Sequence, residues 1–147
     1  MARNTSTGKD AEKSIVMSLE RGGYSFNSQV KIPNLRPNNK DYIVDYIAKK
    51  ESKKIGIEMK WQQSDGTAEE KIPYALILLL ILYEKKIIDK GYLVLGGSDQ
   101  DKIRKRKGWT LRKYYLSGGL EKFIKYKGKI DILTIEEFQS DANQSKL

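Results

Sequence analysis

The chain of 147 residues contains no cysteine and no histidine. Without thiols there can be no disulfide framework, zinc ribbon or cysteine nucleophile. Without imidazole there can be no Ser-His-Asp triad, no histidine-held metal and no imidazole general base. A hydrolase written in this alphabet is left with carboxylates, lysine, a metal ion and water. Long apolar runs are also missing. The longest, Ile72–Tyr83, stops at Glu84-Lys85-Lys86 and is far too short to cross a bilayer. The opening residues Met1–Gly8 are polar and unlike a secretory signal, so a cytoplasmic protein with no membrane partner is expected. A final Ser145-Lys146-Leu147 matches the peroxisomal address, but a tripeptide arises easily by chance.

What is present fits one soluble domain large enough to bury a core without staples. Hydrophobic residues make up 39% and charged residues 32%, ordinary for a globular chain. Ala11, Ile15, Val16 and Leu19 recur at helical spacing after Thr7-Gly8-Lys9-Asp10, which resembles a helix N-cap, and Gly22-Gly23 ends the run. Tyr24–Ile32 alternates loosely, as an edge strand does, and Pro33–Lys40 is rich in turn formers. Asp41–Ala48 and Lys53–Trp61 read as a strand pair joined by the short Lys49–Ser52 connector. A polar turn through Ser64-Asp65-Gly66, with Thr67 and Glu70 as cap residues, opens a helix over 74–86 that is apolar nearly all round. Such a helix is expected to be buried on every side, in the core and against a protein partner. Pro73 falls in its first turn or marks a kink. Gly91–Leu95 reads as an interior strand, Ile130–Leu133 as the last strand, and Thr134 with Glu137 as the cap of a short final helix. The expectation is a single α/β domain over 1–147, with a central mixed sheet flanked by helices, a core over 8–138 and a short polar tail over 139–147.

The chemistry concentrates on the strand pair. Asp45 lies thirteen residues before Glu58-Met59-Lys60. Ile55, Ile57, Met59 and Trp61 share one strand parity, and Glu58, Lys60 and Gln62 share the other. On a strand, Glu58 and Lys60 project from one face about 7 Å apart. Two acids and a lysine converging on neighbouring strands can hold a hard divalent cation and activate a water beside it, which points to phosphodiester hydrolysis. Glu-x-Lys alone also suits an ordinary half-exposed strand. Asp45, however, sits among Ile43, Val44, Tyr46 and Ile47, where an unpaired carboxylate would be costly if buried. Gln62 is placed to orient a water or a phosphate. Asp41 shares the parity of Asp45 and is the alternative first acid. Glu12 borders the first helix's apolar stripe, so it either leans toward the acids or complements the helix dipole.

The order of these elements over residues 8–138 resembles the PD-(D/E)XK nuclease superfamily, and within it the small restriction-enzyme-like and homing-endonuclease-like members. The resemblance rests on the Glu12 helix, the Asp45 and Glu58-x-Lys60 strands, the Trp61-Gln62 stretch, the long helix, the strand ending Leu95-Gly96-Gly97 and the closing 130–138 segment. Val44 stands where the name-giving proline would be. The resemblance implies a Mg²⁺-dependent endonuclease, with Mn²⁺ as a substitute, cutting double-stranded DNA to 5′-phosphate and 3′-hydroxyl ends. It implies that Asp45 and Glu58 hold the metal, that Lys60 positions or deprotonates the attacking water, and that Glu12 is an accessory ligand. Cutting both strands implies a homodimer or homotetramer. Within the superfamily the rival is a Holliday-junction resolvase; outside it, a DNA-binding module without chemistry.

Charge supports a nucleic-acid partner. The chain carries a formal +9, and Lys102–Lys129 alone holds eleven Lys or Arg against one acid, Glu121. Such a segment neutralises phosphates and releases counterions. Arg104, Lys105, Arg106, Lys107, Trp109 and Arg112 are the expected DNA contacts, with Arg36, Lys40 and Lys71 nearer the cut. Phe123, Ile124 and Tyr126 of the 122–129 stretch fit core packing as well as DNA.

Overall fold

The structure, a computed structural model, describes residues 3–62 and 68–147, with the backbone alone for residues 3–7. Five strands form one sheet in chain order: β1 (Ser25–Ile32), β2 (Tyr42–Lys50), β3 (Lys53–Gln62), β4 (Lys90–Gly97) and β5 (Ile130–Thr134). β1, β2 and β3 run antiparallel; β3, β4 and β5 run parallel. The parallel β3–β4 step is bridged by helix α2 (Ile72–Glu84), as a parallel crossover requires. The expected mixed sheet flanked by helices is what the chain forms.

Each sheet face has its own core. On one side α1 (Arg3–Arg21) and α4 (Ile135–Asn143) pack together over Tyr46, Ala48, Ile55, Ile57, Tyr92 and Val94. On the other, α2 and the short α3 (Arg112–Leu116) cover Tyr42, Val44, Ile47, Leu93, Leu95 and Ile132. Gly56 makes room for Ile88, in the segment between α2 and β4: a Cβ there would meet the Ile88 side chain at 3.0 Å. Among the described residues no helix is long and apolar enough to cross a membrane.

Several boundaries differ from expectation. α1 begins at Arg3, so Thr7 lies inside the helix rather than capping it. The Ser64–Thr67 turn and cap lie outside the described residues. A 3₁₀ turn, Glu69–Lys71, leads into α2, which starts at Ile72 with Pro73 in its first turn and ends at Glu84. Pro73 is tolerated there because the first amides of a helix have no intrahelical partner. Within the single chain, Ile72, Ala75, Leu76, Leu78, Leu79 and Leu82 of α2 are in the core, while Ile77, Leu80 and Ile81 are half-buried and Tyr74 is exposed. Residues 139–147 are not a loose tail. α4 continues to Asn143, Ala142 is fully buried, and Leu147 is buried with its amide donating to the Tyr24 hydroxyl. The closing helix has its capping box, with Thr134 and Glu137 satisfying each other's amides.

Candidate active site

β2 and β3 stay paired from Lys50↔Lys53 as far as Tyr46↔Ile57 and then part. At the split the two carboxylates replace the missing ladder. The Asp45 amide donates to Glu58 Oε1 at 3.1 Å, and the Met59 amide donates to Asp45 Oδ2 at 2.9 Å. Side-chain alternation slips at the same point: Tyr42 and Val44 face the α2 core, whereas Tyr46 and Ala48 face the α1 core. Opposite Asp45, Gln29 adopts φ 50 and its amide reaches Asp45 Oδ1 at 3.5 Å. Asp45 keeps the alternation of Tyr46–Ala48 and so shares the face of Glu58; the slip adds Tyr42 and Val44 to that face, which strict alternation does not reveal.

Glu58 is 5% exposed and receives the Lys60 ammonium at 3.2 Å on Oε2. Burial pushes its carboxyl above the ordinary glutamate range, and the Asp45 charge adds to this; Lys60 and the Asp45 amide pull the other way without cancelling it. Both acids and Lys60 line one cavity of about 460 Å³, whose walls also include Arg36, Tyr42, Ile43, Lys71 and Tyr74. Arg36 stands over the Tyr42 and Tyr74 rings, its guanidinium carbon 5.8 Å from each centroid, and donates to the Asp41 carbonyl.

A model of the PD-(D/E)XK nuclease superfamily domain matches residues 3–144. The chain belongs to that superfamily. No curated protein matches this PD-(D/E)XK domain. One solved structure, that of the protein of unknown function AF1548, aligns with 84% of the chain at 14% identity and a TM-score of 0.47. The chain spans 57% of that protein's length, and the likeness is too distant to bear on function.

PD-(D/E)XK nucleases generally use divalent metals, and the residues of this domain fit one. Asp45 and Glu58 offer hard carboxylate oxygens, each with lone pairs beyond those engaged by amides and Lys60. Burial first, and the Asp45 charge second, raise the Glu58 carboxyl, and a cation beside both acids would favour its ionised form. Among the described residues no third acid joins them, so any remaining positions around a cation would fall to backbone carbonyls, water or phosphate.

Tyr42 is a site residue that the sequence did not single out. Its buried hydroxyl lies near Glu58 but makes no hydrogen bond of ordinary geometry, and burial, then Glu58 and Asp45, push its pKa far up. Nothing but its place in an apolar strand beside Asp45 could have flagged it.

Other candidates fall elsewhere. Glu12 is exposed on α1, in a separate groove with Lys9, Lys13, Val16, Met17, Glu20 and Tyr46. Tyr46 faces α1, so its ring stands on the Glu12 side of the sheet and Glu12 does not line the acid cavity. Asp41 lies just outside β2, where the Asn34 amide and Lys31 hold its carboxyl below the usual range. Gln62 is buried and outside the cavity wall. Trp109, expected among the DNA contacts, is 1% exposed in the α2 core, its indole donating to the Gly96 carbonyl at 2.6 Å. Arg112 is likewise occupied, paired with Asp99 at 2.9 Å and bonded to the Gly97 carbonyl. Arg104, Lys105, Arg106 and Lys107 are exposed, as is Lys40. Phe123 is 76% exposed while Tyr126 is buried.

Proposed function

We propose that this domain is a Mg²⁺-dependent, site-specific endonuclease that hydrolyses phosphodiester bonds of double-stranded DNA, of restriction or homing type. The observation that carries this reading is the convergence of Asp45, Glu58 and Lys60 in one cavity with Arg36 and Lys71 on its walls. In this reading Asp45 and Glu58 hold the cation, and Mn²⁺ substitutes for Mg²⁺. When bound, the cation supplies a water of lowered pKa and neutralises charge on the reacting phosphate. Lys60, fixed against Glu58, keeps protons free to orient the attacking water or a phosphate oxygen. Arg36, pinned by two rings and a carbonyl, offers a preset donor to the DNA backbone. The half-buried Ile77, Leu80 and Ile81 on α2 supply the contact for a homodimer or homotetramer, so that two cavities address two strands. A cytoplasmic location suits this role.

The test is incubation of the purified chain with supercoiled plasmid and genomic DNA, in Mg²⁺ and in EDTA, beside Lys60→Ala. Discrete Mg²⁺-dependent bands absent from the variant support the reading, and their frequency separates short restriction sites from long homing sites. Cutting confined to four-way junctions would replace it with a junction resolvase. Binding with no cutting of any DNA would leave a module without chemistry.

A further inference from the structure

Ile103 is 94% exposed, and no other large apolar side chain among the described residues is as exposed. It stands among Lys102, Arg104, Lys105, Arg106 and Lys107, the densest positive run in the chain. The turn that carries it is closed. Asp101 and Arg106 exchange both backbone hydrogen bonds, at 2.8 and 2.7 Å. The Asp101 carboxylate accepts the Ile103 and Arg104 amides at 3.1 and 3.2 Å, and Lys105 turns the chain at φ 53. Below the turn, Trp109 exchanges backbone bonds with Ser98 and Gln100, and its buried ring with the Arg112–Asp99 pair fixes the base. The turn thus holds Ile103 away from both cores.

The finger rises from the C-terminal end of β4, which pairs in parallel with the end of β3 that bears Lys60. Glu69 ties its base to the cavity: the carboxylate accepts the Thr110 amide and hydroxyl, two residues before Lys71 of the cavity wall. The base of the finger is thus anchored beside the element that supplies Lys71 to the cavity wall.

We propose that Ile103 is an apolar wedge that enters a base step of duplex DNA, with the flanking cations holding phosphates on either side. An isoleucine presented to water inside a ring of cations gains by transfer into the stack, and inserted aliphatic side chains kink a duplex by this means. Pyrimidine–purine steps unstack most easily, so the wedge would add preference for such steps at a fixed distance from the cut. This inference rests on the reading of the protein as a DNA-binding nuclease.

The experiment uses the full chain in EDTA, so that no cutting occurs, with short duplexes carrying 2-aminopurine at TA and CA steps. The wild-type chain should raise 2-aminopurine fluorescence on binding. Ile103→Ser should abolish that rise and bind about tenfold more weakly, the scale of one apolar side chain transferred from water, with an unchanged salt slope and unchanged thermal stability. Ile103→Leu should restore the signal. Equal fluorescence and affinity for wild type and Ile103→Ser would overturn the wedge while leaving DNA binding intact. Failure of the wild-type chain to bind any duplex, both in EDTA and with Ca²⁺ added in place of Mg²⁺, would overturn both readings. Ile103-dependent binding to phosphatidylserine vesicles without duplex unstacking would make the finger a membrane contact and also overturn the proposal.

Discussion

Replacing Lys60 by methionine isolates what its charge does for the sheet. Glu58 is 5% exposed, and its Oε2 lies 3.2 Å from the ammonium while Oε1 holds the Asp45 amide. Breaking a fully buried ion pair costs about 3–5 kcal/mol. Two features reduce that here. The Lys60 side chain is 25% exposed, so water already screens part of the attraction. Glu58 also keeps the Asp45 amide and can take up a proton. We therefore expect a loss of about 2 kcal/mol at pH 8 without metal, which lowers Tm by roughly 4–8 °C in a domain of this size. The sign with pH follows from the carboxyl. Burial and Asp45 already hold the Glu58 pKa above its unfolded value, and Lys60 opposes them. Without Lys60 that pKa rises further, so the folded variant holds its proton more tightly than the unfolded chain does. Its stability is then fully present below the ordinary glutamate pKa and is lost as pH rises through the folded one. The Tm gap from wild type should be small near about pH 5, wide at about pH 8, and partly closed at pH 8 by Mg²⁺. Circular-dichroism melts in EDTA at both pH values, then with Mg²⁺, measure this. A gap that is constant with pH, or wider in acid, would refute the reasoning.

Glu58→Gln removes the buried negative charge but keeps an oxygen for the Asp45 amide. It should melt no lower than wild type at about pH 8 in EDTA, with a flatter pH profile, while Mg²⁺ binding by calorimetry is lost. Tyr42→Phe deletes the buried hydroxyl, and urea unfolding should find its stability unchanged or raised by about 1 kcal/mol. Trp109→Ala should cost about 3–5 kcal/mol as a core truncation, read by the same unfolding experiment. By contrast Arg104→Ala with Arg106→Ala should stay within about 0.5 kcal/mol of wild type. That double variant should lower the salt slope of DNA binding, measured by anisotropy, by about two.

Residues whose roles are set along one element were legible in the sequence. The parity of Ile55, Ile57, Met59 and Trp61 against Glu58 and Lys60 needs only a strand, and the Thr134–Glu137 box needs only one helix end. Residues whose roles depend on a second element were not. Strict parity made Asp41 and Asp45 equivalent, and what separates them is that β2 begins at Tyr42, leaving Asp41 in the loop before it, held by Asn34 and Lys31. Trp109 and Arg112 sit in a basic run that reads as DNA-facing, yet Gly96, Gly97 and Asp99 at the end of β4 claim both. Glu12 lies one helical step from buried Ala11 and Ile15, and nothing in α1 itself says which sheet face the helix covers. Tyr42 looks like any strand tyrosine until the cavity wall is assembled around it.

The exchange of amides at the β2–β3 split gives the domain two gauges of its own state. The Asp45 and Met59 amide protons each rest on a carboxylate of the partner strand rather than on a carbonyl. Protonation of Glu58, or arrival of a cation between the acids, must therefore move these two resonances in an NMR spectrum recorded with no DNA and no turnover. The same contacts make loading of the site an event in the sheet's own hydrogen bonding, so solvent exchange at these two positions should register an ion before any bond is cut.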